Sequence, residues 1–182
     1  MSVKTFTTEV LTSADTNTYL ANSGLVYVTS ATVGTGVSSV TVSSAFSATY
    51  DNYLITMTGG TVSADASMSL LLGASVTGYY GFMLYGVVGA NTPLGVGRNN
   101  ATNAAWVGGG ASGQMCHVNV QVFGPFAAAY TKLLNSSYQN GLAYGTMQAE
   151  HRVATSYTAF TLSPDAGTLT GGTVTVYGYR KA

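Results

Sequence analysis

The sequence predicts an all-β fold, an antiparallel sandwich or barrel entered through one short helix. Short runs rich in Val, Thr, Tyr and Leu recur along the chain, divided by Gly, Ser, Asn and Asp. Two of these runs alternate apolar and polar residues, the period-2 signature of a half-buried strand. Charge is nearly absent: six Lys+Arg and six Asp+Glu among 182 residues, net zero, where an ordinary soluble domain is roughly a quarter charged. A surface so poor in charge is expected to be covered by other molecules, so the chain reads as part of an assembly.

Residues 11–24, LTSADTNTYLANSG, carry the only clear helix punctuation. Thr12 or Ser13 can cap the N-terminus, Asp15 complements the helix dipole in the first turn, and Gly24 can end the helix. A helix of roughly three turns is marginal alone and needs a surface to dock on. Beyond Gly24 the candidate strands are LVYVTSATVG, VSSVTVSSAF, NYLITMTGG, SMSLLLGAS, YGFMLYGVV, AAWVGG, QMCHVNVQVFG, YTKLLNSSY, YGTMQAEHRV, YTAFTLSP and GTVTVYGYRK. Such regular short spacing indicates the sandwich or barrel. In MCHVNVQV, Cys116, Val118, Val120 and Val122 face one way and His117, Asn119 and Gln121 the other; in TVTVYGY, Val174 and Val176 oppose Thr173, Thr175, Tyr177 and Tyr179.

The intervening segments read as turns. Tyr50–Tyr53 leads into LITMT, with Asp51 and Asn52 bonding their own backbone and the tyrosines covering the sheet end. Gly86 to Gly113, with its many glycines and the only tryptophan, is the longest candidate for irregular structure. Asn135–Ser137 marks a turn. Gly167, Gly171 and Gly172 bracket a tight reversal before a last strand closes the sheet.

Several function classes are disfavoured by composition. The six basic residues are scattered and form no patch to neutralise phosphates, so nucleic-acid binding is not expected. MSVKTFTTEV lacks the basic start and apolar core of a secretory signal, and the apolar runs break before membrane-spanning length. Synthesis in the cytoplasm without membrane insertion is expected. The single Cys116 cannot form an intrachain bridge and reads as a small buried hydrophobe.

No catalytic or cofactor constellation stands out, and neither metal nor cofactor is expected. Gly-x-Ser-x-Gly does not occur, GVGRNN and GGGASG lack the phosphate-loop pattern, and adjacent Cys116 and His117 point to opposite faces of a strand. Glu150 and Arg152 share a strand face and form a surface ion pair, with His151 facing the other way. A glycan-hydrolysing enzyme needs two carboxylates at a defined separation. With Glu9 and Asp15 in the helical segment and Asp51 and Asp165 in turns, only Asp65 and Glu150 remain for that role.

The aromatic residues are the better lead. Tyr79, Tyr80, Phe82, Tyr85 and Trp106, with Tyr130, Tyr138 and Tyr144 beyond them, offer rigid faces with polar tips. Such faces suit both subunit interfaces and stacking on a glycan. The first five are the candidate glycan or interface contacts.

Three stretches resemble small virion structural proteins of tailed bacteriophages, in particular tail-fibre-type and appendage subunits: FTTEVLTSADTNTYLANSGLVYV, ATVGTGVSSVTVSSAFSATYDNYLITMTGG and FTLSPDAGTLTGGTVTVYGYRKA. The resemblance implies a jelly-roll-like antiparallel β-sandwich head over 27–182, a homotrimer, and a helical anchor at 1–26 that attaches the head to other virion proteins. It implies a tail-fibre or capsid-surface location and host attachment through a cell-surface glycan, with a capsid decoration or head-fibre protein as the alternative. It supplies no catalytic residues.

Overall fold

The computed structural model describes residues 24–90 and 92–181. The anchor helix expected at 11–24 falls outside them but for Gly24. Thirteen strands follow in order: β1 Leu25–Thr32, β2 Val40–Val42, β3 Asn52–Val62, β4 Ala66–Leu72, β5 Tyr79–Val87, β6 Pro93–Ala101, β7 Ala104–Gly110, β8 Met115–Phe123, β9 Thr131–Gln139, β10 Ala143–His151, β11 Phe160–Pro164, β12 Leu169–Thr170 and β13 Thr173–Tyr179. The fold is all-β, and no helix occurs among the described residues. β1 begins two residues inside the segment 1–26.

All strand pairs are antiparallel and belong to one open sheet. Its branch point is β8. One edge of β8 pairs with β3 from Thr61↔Met115 to Asn52↔Phe123. The other edge serves two partners in turn, β7 at His117 and Val118, then β9 from Val120 to Phe123. From the branch, one run of eight strands reads β6-β5-β10-β9-β8-β3-β13-β1. The other is a short arm, β7-β4-β11-β2. Where β7 and β9 diverge, the sheet must part into layers.

The alternating patterns in the sequence set the core. Cys116, Val118, Val120 and Val122 are buried on β8, as are Val174 and Val176 on β13 and Tyr53, Ile55 and Met57 on β3, and their strand neighbours face out. The short arm lies in the bend of the long run. Phe46, just after β2, packs against Tyr53 of β3 at 4.9 Å and Phe160 of β11 at 5.6 Å between ring centroids. In sheet order β3 and β11 are four steps apart, roughly 19 Å on a flat sheet, so the sheet folds over to let one ring touch both. β4 is covered on both faces: Met68, Leu70 and Leu72 are buried, and so are Ser67 and Ser69. Ser67 Oγ bonds Tyr138 Oη of β9 at 2.7 Å, and the Leu72 N–H donates to Tyr79 Oη of β5 at 2.8 Å.

Four local expectations are corrected. The stretch 86–113 is two strands, β6 and β7, with short turns. β6 forms despite Gly95 and Gly97 because its backbone pairs with β5 and the Phe82 ring lies over Gly95, where a Cβ would come within 2.7 Å of Phe82 Cζ. Asn135–Ser137 lies inside β9, where Asn135 is buried and the ladder slips against β10. Gly171 and Gly172 do not reverse the chain. β12 and β13 run along the same edge of β3, and these two glycines, at φ +67° and +89°, kink the course opposite a bulge at Gly59. The reversal sits before them, around Gly167. β13 lies between β1 and β3 rather than closing the sheet. Tyr53 is wholly buried in β3 rather than covering the sheet end, its hydroxyl donating to the Ser47 carbonyl at 2.9 Å and accepting from Ser47 N at 2.8 Å.

Because Phe46 joins the long run to the short arm, Phe46→Ala is expected to lower the unfolding free energy by about 3–5 kcal/mol. Urea unfolding checks this; a loss under about 1 kcal/mol would show that the arms hold together without that ring.

Candidate functional site

The aromatic run in β5 is divided by the strand period. Tyr80, Phe82 and Leu84 point outward, while Tyr79, Met83 and Tyr85 point toward the short arm. Tyr79 is buried and tilted against the His151 ring at 4.2 Å, and burial pushes its hydroxyl well above the ordinary range. Tyr80 is half-buried beneath the Arg152 guanidinium, 4.5 Å from its ring centroid. Phe82 is 55% exposed.

Trp106 lies on the other arm. β7 carries two more residues than β4 between the pairs Met68↔Gly108 and Leu70↔Ala104. Trp106 occupies this bulge at φ +66°, a conformation that a bulky residue rarely adopts. The bulge aims the indole toward β6, where Arg98 covers it at 5.1 Å, and the Trp106 carbonyl accepts a hydrogen bond from Asn135 Nδ2 at 2.9 Å. Trp106 is 8% exposed, so no open face remains for a sugar ring.

The structure therefore brings Tyr79, Tyr80 and Trp106 to one crevice with Arg98, Asn103 and Met147. Its free space, about 10 Å³, holds one water-sized sphere at most. Phe82 and Tyr85 are elsewhere. Tyr85 lines a shallow groove of about 490 Å³ with Leu84, Thr92, Pro93, Ser136 and Tyr144. Among the described residues no charged side chain lines this groove.

The outer face of the long run is uniform in chemistry. Register places Leu25, Tyr27 and Ser30 of β1, Thr175 and Tyr177 of β13, Leu54 and Thr56 of β3, Asn119 and Gln121 of β8, Leu134 of β9, Thr146 and Gln148 of β10 and Leu84 of β5 on it. Its strands contribute two charged residues, Lys132 and Glu150, set opposite one another across β9 and β10. Arg152 Nε also donates to Glu150 Oε2, at 2.7 Å, the strand-face ion pair expected from the sequence.

His151, opposite that pair, is a structural latch. Its Nε2 lies 3.1 Å from the Thr77 carbonyl and 2.9 Å from Ser75 Oγ. A carbonyl only accepts, so Nε2 carries the hydrogen and the ring ties the β4–β5 turn to the end of β10. Asn100 Oδ1 of β6 fastens the same turn, accepting from Thr77 Oγ1 at 3.0 Å and Gly78 N at 2.9 Å. Around the ring stand Tyr79, Tyr157, Ser75, Thr77 and, across the ladder, Thr131, all uncharged at neutral pH. The sequence held no signal for this cluster, since Ser75 and His151 are 76 residues apart.

The acid pair left by elimination does not meet. Asp65 Oδ1 accepts from Ser112 N at 2.7 Å, 3.2 Å from where a Cβ on Gly141 would lie, beside the β9–β10 turn. Glu150 is at the far end of β10, roughly 25 Å away at the rise of a strand, and glycoside hydrolysis requires carboxyls within about 10 Å. Among the described residues no group of three or more His, Cys, Asp or Glu could hold a metal ion.

Burial holds the His151 imidazole below its ordinary value of 6.5, partly offset by the bond to Thr77. The unfolded chain then takes up a proton before the folded one does. Stability is complete above about pH 6.5 and falls as pH drops through the folded pKa. Denaturant midpoints from pH 8 to 5 should show this decline in the wild type and a flatter one in His151→Gln; parallel curves would remove His151 as its source. Burial also raises the Cys116 thiol to about 11, so an aromatic disulfide reagent at pH 8 should label it only after unfolding. Rapid labelling of the folded protein would mean that β8 opens readily.

The chain matches no protein-family model, no curated protein and no solved structure.

Proposed function

We propose that this chain is a virion structural protein of a tailed bacteriophage, a homotrimeric tail-fibre or appendage subunit. The N-terminal segment 1–26 attaches it to other virion proteins, and the β domain is the head displayed for host-surface binding. The observation that carries the proposal is the outer face of the long run: eight strands of hydroxyl, amide, aromatic and aliphatic side chains whose charges are gathered in one cluster, Lys132, Glu150 and Arg152. A face of that chemistry suits contact with other subunits better than exposure to water.

The sheet folded over its short arm accords with a jelly-roll-like sandwich, a common architecture for viral shells and appendages. Host-surface glycan binding does not rest on Trp106, which is buried beneath Arg98. The second reading, a capsid decoration or head-fibre protein, is favoured by Tyr79 and Trp106, which serve packing and not display.

Cryo-electron microscopy of purified particles tests the proposal. Density for the head at the tail or its fibres supports the first reading, density across the capsid lattice supports the second, and particles lacking the chain overturn both. Because β1 starts at Leu25, deleting residues 1–23 should leave a folded head that no longer joins particles. Truncated protein that still joins them would put attachment in the head.

A further inference from the structure

The run YYGFMLYGVVGA reads as a strand buried on both faces, since half-exposed strands alternate and buried ones do not. In the single chain Tyr79 and Met83 are buried, while Phe82, Leu84, Val87 and Val88 are exposed. Among the described residues twelve large hydrophobic side chains are exposed, and seven of them belong to the β5–β6 hairpin and its neighbour: Phe82, Leu84, Val87, Val88, Leu94, Leu142 and Tyr144. Leu84 and Tyr144 lie on the outer face, and Val87 and Leu94 on the opposite face. Val88 N donates to the Leu142 carbonyl at 2.9 Å, joining the two hairpin tips into one projection.

The outer edge of β6 pairs with no strand among the described residues, and seven of its nine residues are exposed. The devices that guard a free edge are sparse: Pro93 begins the strand, and Arg98 is its only charge, turned over Trp106. Two more of the twelve exposed side chains, Leu25 at 43% and Tyr27 at 60%, belong to β1, which ends the eight-strand run and pairs with β13 alone among the described residues.

We infer that the β5–β6 hairpin is the docking surface for a second copy of this chain, which presents its β1 edge through Leu25 and Tyr27. The seven side chains are each 39–58% exposed, an apolar cluster of the kind that a stable interface buries, where each partner gives up ~800 Å². Apolar residues at opposite ends of one sheet make a head-to-tail contact, which gives a ring where the rotation between copies closes and an open filament where it does not. The inference rests on the homotrimer reading for the size of that ring. A glycan is the weaker occupant, because the projection is mainly aliphatic and exposed on both faces, whereas sugars stack on aromatic rings beside hydroxyls.

Leu84→Arg and Tyr27→Arg replace exposed side chains at the two ends, and Val76→Arg, 62% exposed and off both, is the control. Light scattering after gel filtration should find a trimer for the wild type and Val76→Arg. Each end variant should fall to a third of that mass with an unchanged circular dichroism spectrum. Mixed in equal amounts, the two end variants should form a heterodimer through the one intact contact. Trimers that persist in Leu84→Arg overturn the inference and leave the homotrimer reading standing. Monomers that fail to pair on mixing overturn the head-to-tail arrangement. A monomeric wild type overturns both readings, and glycan-array binding lost in Tyr144→Ala would then assign the groove to a carbohydrate.

Discussion

The architecture depends on the hydrogen-bonding capacity of β8. A strand has two edges, and β8 spends one on β3 and divides the other between β7 and β9. The division falls between Val118 and Val120, so the two partners leave the same strand in different directions. Every residue of β8 that faces the core is small enough to be covered from both sides, three of them valine and one cysteine. With β8 intact, the long run has a seam about which to bend and the short arm has a place to enter the bend. Without it, β7-β4-β11-β2 would be a separate sheet, hydrogen-bonded to no strand of the long run.

Burying an arm inside a bend imposes polar costs that the fold meets locally. β4 presents Ser67 and Ser69 to the inside as well as its leucines, and Ser67 takes the Tyr138 hydroxyl as partner. Trp106 sits in a backbone conformation unfavourable for its size, offset by the Asn135 bond to its carbonyl and by Arg98 over its ring. His151 stays neutral among uncharged neighbours and holds the β4–β5 turn. Each is a structural use of a residue whose chemistry would suit a functional site. The contacts proposed above lie instead on the outer face and on the projecting hairpin, where the chain leaves aliphatic groups in water.

The strand content and much of the core were legible in the sequence because they follow from local periodicity. MCHVNVQV and TVTVYGY have faces that separate at period 2, and both are buried as that period requires. The pair Glu150 and Arg152, two residues apart on a strand, also follows from local geometry. The failures have equally physical causes. β6 was hidden because glycine and asparagine disfavour strands, and the pairing with β5 and the Phe82 ring over Gly95, neither of which its own residues announce, stabilise it there. Asn135 reads as a turn residue until its amide is given the Trp106 carbonyl, 29 positions away, as partner.

By itself the sequence determined that the protein is all-β, which strands have a core face, and that charge is sparse, because composition and alternation act over a few residues. The tertiary structure decided which of the aromatic residues are available. Tyr79 and Trp106 went inside, Phe82 and Leu84 stayed out, and Asp65, in the β3–β4 turn, came to lie beside the end of β10 remote from Glu150. Those outcomes depend on strand order and on a two-residue bulge, which bring together residues far apart in the chain and leave no trace in any short stretch of it.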